Sequence, residues 1–215
     1  MDFLGFFIRL AALIVAFTVH ELSHGLMAYM LGDKTAKNDG RLTLNPIRHI
    51  DPMGLVFLMI FSFGWAKPVM VDPRNFQYPK QDMALTAVAG PLSNFVMAFI
   101  SMMVFFPLWH ATGGPSNVNV VTMGVIGTFL FLMIVINLAL GIFNLLPIPP
   151  LDGSKLFGVI LPDRTYFSFI GMGSRYGMIL LLILIATNQL IPVISTIHGF
   201  SFDMLMSIAR FIYTS

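Results

Sequence analysis

The chain has 215 residues, of which 57% are hydrophobic and only 10% charged, against roughly 25% charged in a soluble domain. A net charge of +2 is too small to argue for nucleic acid as a partner, and the lack of cysteine excludes a disulfide framework and any thiolate-held metal. These numbers describe an integral membrane protein whose candidate metal ligands are His, Asp and the single Glu.

The first apolar window runs from Phe3 to Leu31. As a helix it would reach roughly 44 Å, enough to cross a hydrocarbon core of about 30 Å with some tilt. No basic n-region precedes it and no small-residue cleavage site follows, so it is read as retained. Residues 40–46, "GRLTLNP", alternate polar and apolar as a strand does. Met53 to Phe63 is apolar but has the length of a re-entrant or interfacial piece. In "GWAKPVMVDP" (64–73) Gly and the prolines exclude a helix. The region from about 40 to 75 is therefore expected to be a membrane-embedded, β-like re-entrant segment. Irregular backbone at that depth is tolerated only beside protein or a wet cavity.

The second window spans 83–109, where Gly90-Pro91 is expected to kink or break the helix. The third spans 120–146 and is closed by Pro147, Pro149 and Pro150. The fourth spans 176–197. A last apolar piece, 200–213, carries Asp203 and Arg210 and reads as an interfacial helix, a half-span or a fifth span. The expected fold is an α-helical integral membrane protein of four to five transmembrane helices, one domain over 1–215. It carries no internal repeat.

Charge orients it. Lys34, Lys37, Arg41 and Arg48 lie in the loop after the first window, and Lys67, Arg74 and Lys80 in the loop before the second. The 110–119 loop has neither Lys nor Arg. If 53–63 dips and returns, both basic loops are cytoplasmic, as the positive-inside rule prefers. The N-terminus is then outside a multi-pass protein of the cell membrane.

The chemistry centres on "HELSH", residues 20–24, inside the first window. On a helix His20 and His24 project from one face a turn apart and can share a tetrahedral Zn²⁺. Glu21, beside the first, can serve as general base toward a water at the metal. An ionisable cluster inside a span is functional by default. Catalytic zinc usually takes three protein ligands. A third His at zincin spacing fails, because Met30 stands there, and a downstream Glu fails because the chain has no other. The third ligand is then an Asp or one of His49, His110 and His198. Asp152 stands out, in "NLLPIPPLDGSK" where the third window stops, on the same side as the end of the first. Pro-Pro-Leu-Asp-Gly is also what a plain turn or helix N-cap looks like.

HELSH (20–24) and NLLPIPPLDG (144–153), with AGPLSN (89–94) and the GRLTLNP…HIDP…FGWAKP run (40–68), resemble the site-2 proteases, a family of intramembrane zinc metallopeptidases. The likeness covers most of residues 15–160 and is closest to the small branch, without PDZ or CBS modules. It implies His20, His24 and Asp152 as ligands of one Zn²⁺ per subunit, and Glu21 as catalytic acid/base. It also implies a β-element at 40–75 that holds a transmembrane-protein substrate, and a zinc site near the cytoplasmic face of the lipid bilayer. Oligomeric state is left open.

An extended substrate could pair with an edge at 41–46 or 64–71; there Gly64 and Trp65 fit a strand or a structural turn. Asn94, Asn137 and Asn144 are the buried polar candidates, either as interhelical hydrogen bonds or as groups that steady a ligand or the substrate. A zinc permease would need paired His/Glu clusters, and a membrane di-iron oxygenase about eight histidines where this chain has five. Both fit less well than a peptidase.

Overall fold

The structure is a computed structural model that describes residues 3–61, 65–114, 118–156 and 159–214. In chain order the helices are α1 (Phe3–Met30), α2 (Thr35–Asn38), α3 (Pro52–Phe61), α4 (Pro79–Ala111), α5 (Val120–Asn144), α6 (Gly153–Leu156), α7 (Asp163–Ala186) and α8 (Ile191–Thr214). Four of these are long and apolar enough to cross a membrane: α1, α4, α5 and α8. The protein is an α-helical membrane protein.

Packing follows small residues. On α1 the buried stripe runs Ile8, Ala12, Ala16, His20, His24, Ala28, one residue every i+4. Between apolar helices, where lipid removes the hydrophobic driving force, such small side chains let backbones approach. The two histidines therefore lie on the very stripe that α1 packs with. α4 answers with Ala84, Ala87, Gly90, Asn94, Ala98 and Ser101. α1, α4 and α5 pack against one another, and α8 packs on α4 and α5. Ala98, Met102, Phe105 and Phe106 of α4 meet Ile134, Leu138 and Ile142 of α5 and Leu205 and Ala209 of α8 in the core.

Three expectations change. α4 does not break at Gly90-Pro91 but runs on as one helix, in a neighbourhood packed tightly against α1. The fourth window is not one span: α7 ends at Ala186, and Asn188 turns the chain with φ of 56°. Asn tolerates that left-handed conformation better than most residues, and polar Thr187-Asn188-Gln189 satisfies its own turn. The helix long and apolar enough to cross a membrane is instead α8, which absorbs the apolar piece 200–213. Finally, residues 41–46 form no strand. Asn45 caps a 3-10 turn at Pro46–Arg48, and His49 Nε2 donates to the Thr43 carbonyl at 2.8 Å, folding the segment on itself. Among the described residues the β character is one antiparallel bridge, Ile50 with Ala66. The expected apolar insert between these parts is helix α3; Gly64 lies outside the described residues.

From Ala66 the chain runs extended beside the second half of α1. Lys67 N–H donates to the His49 carbonyl (2.8 Å), Val69 N–H to Glu21 Oε2 (2.9 Å) and Asp72 N–H to Asp33 Oδ2 (2.8 Å). Gly25 permits this approach: a Cβ there would sit 3.0 Å from Leu42 and 3.3 Å from Val69 side-chain carbons. The far end is knotted at Asp33, which is fully buried and also accepts from Thr35 and Asn75. Burial opposes its ionisation, but the hydrogen bonds from Thr35, Asn75 and the Asp72 amide outweigh it and hold its carboxyl below the usual carboxylate range. Asp72 is pulled down to about 2 by the guanidinium and amide of Arg74.

Candidate metal centre

His20 and His24 reach from α1 toward α4, and Asp152 comes from the turn between α5 and α6. Their Nε2 and Oδ2 atoms form a small triangle. The two Nε2 atoms are 3.1 Å apart, and Asp152 Oδ2 is 3.3 Å from His20 Nε2 and 3.0 Å from His24 Nε2. All three side chains are buried. Among the described residues this is the one group of three or more His, Asp or Glu side chains that could hold a metal. His49 and His198 are committed to carbonyls, of Thr43 and of Val135, and His110 packs by the Phe106 ring.

The hydrogen-bond chain behind the triangle makes the Nδ1 end of each ring a donor. Asn137 Nδ2 donates to the Met133 carbonyl at 2.8 Å, and a carbonyl only accepts. Asn137 Oδ1 then faces Asn94 Nδ2 (2.8 Å), which leaves Asn94 Oδ1 facing His20 Nδ1 at 2.6 Å. His20 must donate from Nδ1. The Thr86 carbonyl fixes His24 the same way, at 2.7 Å. In their neutral forms both imidazoles then turn Nε2 lone pairs toward each other and toward a carboxylate oxygen. Three acceptors so close repel one another, and a cation at their centre removes the conflict. The spacing fits: donors 2.0–2.1 Å from a tetrahedral zinc lie about 3.3 Å apart. Carbonyl and amide partners behind the ring are the usual means of orienting a metal-binding imidazole.

Asp152 is held from its other side. Lys155 Nζ lies 2.9 Å from Oδ1, one turn on in α6, leaving Oδ2 for the imidazoles. A Cβ on Gly153 would collide with the Leu145 and Leu146 carbonyls, so glycine there lets the turn close against the end of α5. Gly90 does the same for the histidines. Its Cβ would stand 2.5 Å from His24 Cε1 and 2.7 Å from His20 Cε1. The sequence gives the Thr86 carbonyl, the Val69 amide and Lys155 no role at the site, and none to Gly90 as a neighbour of the histidines. Only Gly90 left a signal, read there as a helix breaker rather than as missing bulk.

Of the asparagines, Asn94 and Asn137 form the relay across α1, α4 and α5, and both are fully buried. Asn144 instead donates to the Leu140 carbonyl of its own helix at 3.0 Å. Glu21 sits on the face toward the extended segment, one oxygen on the Val69 amide.

The chain matches the family model described as Peptidase family M50 over residues 8–184. YwhC of Bacillus subtilis, which carries a zinc metalloprotease name, is 42% identical over 175 residues, covering 81% of this chain and 78% of its own. Rip2 of Mycolicibacterium smegmatis, named in the same way, is 28% identical over 195 residues, or 88% of this chain and 71% of its own. MJ0611 of Methanocaldococcus jannaschii, also so named, is 31% identical over 160 residues, covering 71% and 70%. No solved structure matches the chain. A buried His-His-Asp triangle, an HExxH helix and a family match across four fifths of the sequence converge: the chain belongs to peptidase family M50, the site-2 proteases.

Proposed function

We propose that the protein is an intramembrane zinc metalloprotease that hydrolyses peptide bonds within or near transmembrane segments of other membrane proteins. The observation that carries this reading is the triangle of His20, His24 and Asp152 set into the packing face of a candidate span. Zinc is its cofactor, held by those three side chains. Bound there it would act as a Lewis acid that polarises a carbonyl and lowers the pKa of a water toward neutrality.

The residues around it divide the remaining work. Among the described residues Glu21 Oε1 has no hydrogen-bond partner, while Val69 N–H holds Oε2. That oxygen takes the proton of the attacking water and returns it to the leaving amine. Asn94 and Thr86 hold the imidazoles in their Nδ1–H form, and Lys155 holds the carboxylate. A peptide bond in a transmembrane helix is shielded by its own hydrogen bonds, so the substrate must unwind. The extended run from Ala66 to Val71 offers Met70 and Val71 backbone groups as an edge on which an unwound strand can lie. This supports the edge at 64–71 over the one at 41–46, which is folded on itself. We further propose that the protein is one domain in the cell membrane, with its N-terminus outside and the zinc site near the cytoplasmic face. The basic loops flanking the re-entrant segment support that orientation.

The test is Glu21→Gln. This variant should retain one zinc per chain and lose cleavage of membrane-protein substrates reconstituted with it. If it keeps wild-type turnover, the proposed role of Glu21 is wrong.

A further inference from the structure

The exposed face of α8 carries charge where a lipid-facing helix should have none. Asp203 is the thirteenth of the 24 residues of α8, within one turn of its midpoint, and is exposed. Among the described residues its carboxylate has no hydrogen bond or ion pair; Ser207 reaches only its backbone carbonyl, at 2.8 Å. Ser207 and Arg210 follow at i+4 and i+7 on the same face, both exposed. Gly199, one turn before Asp203, has open space around it: a Cβ there would meet nothing within 4 Å. Arg210 is near the end of the helix and can extend to the headgroups. Asp203 is short and central and cannot. Carboxylates at the middle of a span are rare and are found facing a partner or a wet cavity.

We propose that this face of α8, centred on Asp203, docks a transmembrane helix of another protein that bears a basic residue at mid-depth. Charge complementarity selects that occupant. Two copies of this chain in one bilayer share an orientation, so an interface related by a two-fold axis along the membrane normal sets Asp203 against Asp203 at equal depth. Like charges there repel, which disfavours a self-pair. The occupant is not the segment being cleaved either. α8 packs on α4 over Ala98 to Phe106, whereas the histidines meet α4 at Thr86, Gly90 and Asn94, so Asp203 belongs to a different part of the bundle from HExxH. The small and polar residues along the face, Gly199 and Ser207, permit close approach of a second helix and offer it a hydrogen bond.

The full-length protein and a synthetic single-span Leu/Ala helix, each labelled for energy transfer, are reconstituted in phosphatidylcholine vesicles. Three probes are compared, with Lys, Leu or Glu at the central position. The wild type should bind the Lys probe at least ten-fold more tightly than the Leu probe. Asp203→Asn should remove that difference, and Asp203→Lys should transfer the preference to the Glu probe. Helicity by circular dichroism checks that each variant folds. Equal binding of all three probes by the wild type would overturn the proposal. So would efficient disulfide cross-linking between copies of Asp203→Cys, with loss of self-association in Asp203→Asn, because the face would then be a self-interface.

Discussion

Replacing Gly90 with Ala adds a single methyl group at the surface where α4 meets the two imidazoles. That methyl would lie 2.5 Å from His24 Cε1 and 2.7 Å from His20 Cε1, while ordinary contact begins near 3.4 Å. The rings must therefore retreat by about 0.9 Å and 0.7 Å, or the helices must part by a comparable distance. Metal sites tolerate about 0.2 Å in ligand distance. Nor can the rings move freely, since each is tied at Nδ1, His20 to Asn94 at 2.6 Å and His24 to Thr86 at 2.7 Å. Overpacking of this kind costs about 1–3 kcal/mol in stability. Losing the oriented donor pair should lower zinc affinity at least 100-fold, or about 2.7 kcal/mol. The assay is zinc competition against a chromophoric chelator on purified protein, with Gly199→Ala, where a Cβ meets nothing within 4 Å, as the control. Stoichiometric zinc at wild-type affinity in Gly90→Ala would refute the packing argument.

Asn137→Leu should leave Asn94 Nδ2 buried without an acceptor, costing about 1–3 kcal/mol, and should lower zinc affinity about 10- to 100-fold through His20; denaturation and chelator competition read the two effects. Val69→Pro removes the N–H that holds Glu21 and should cut kcat about ten-fold with zinc content intact, whereas Val69→Ala should match the wild type, each measured by turnover of a reconstituted substrate. Asp33→Asn should speed amide exchange across residues 67–75 about ten-fold, read by mass spectrometry. The folded carboxyl of Asp33 is depressed, so its contribution is complete above the unfolded value near pH 4 and fades as pH falls through the lower folded value. The exchange difference between wild type and Asp33→Asn should therefore hold above about pH 4 and shrink below it.

How much of this was legible in the sequence depends on range. HExxH is local: helical spacing alone puts His20 and His24 on one face. The site-2 protease resemblance brought Asp152 to them across 128 residues, and the structure sets it 3.0 Å from His24. Three of the long helices were visible as apolar windows because hydropathy averages over about 20 residues. The same averaging hid the turn at 187–190 and divided α8 wrongly. The alternation in "GRLTLNP" has the strand period, yet Asn45-Pro46 and the His49 side chain supply local hydrogen bonds that compete with a ladder. Gly90 illustrates the remaining blind spot. Beside Pro91 it looks like a breaker, and its purpose is visible only once α1 lies against α4.

The proposed catalysis depends on one zinc ion shared by His20, His24 and Asp152. Zinc-edge X-ray absorption on the purified protein and on Asp152→Ala tests it most directly. It predicts two imidazole nitrogens and at least one oxygen at about 2.0–2.1 Å in the wild type, with one oxygen lost and affinity reduced in the variant. An unchanged spectrum and unchanged zinc content in Asp152→Ala would contradict it.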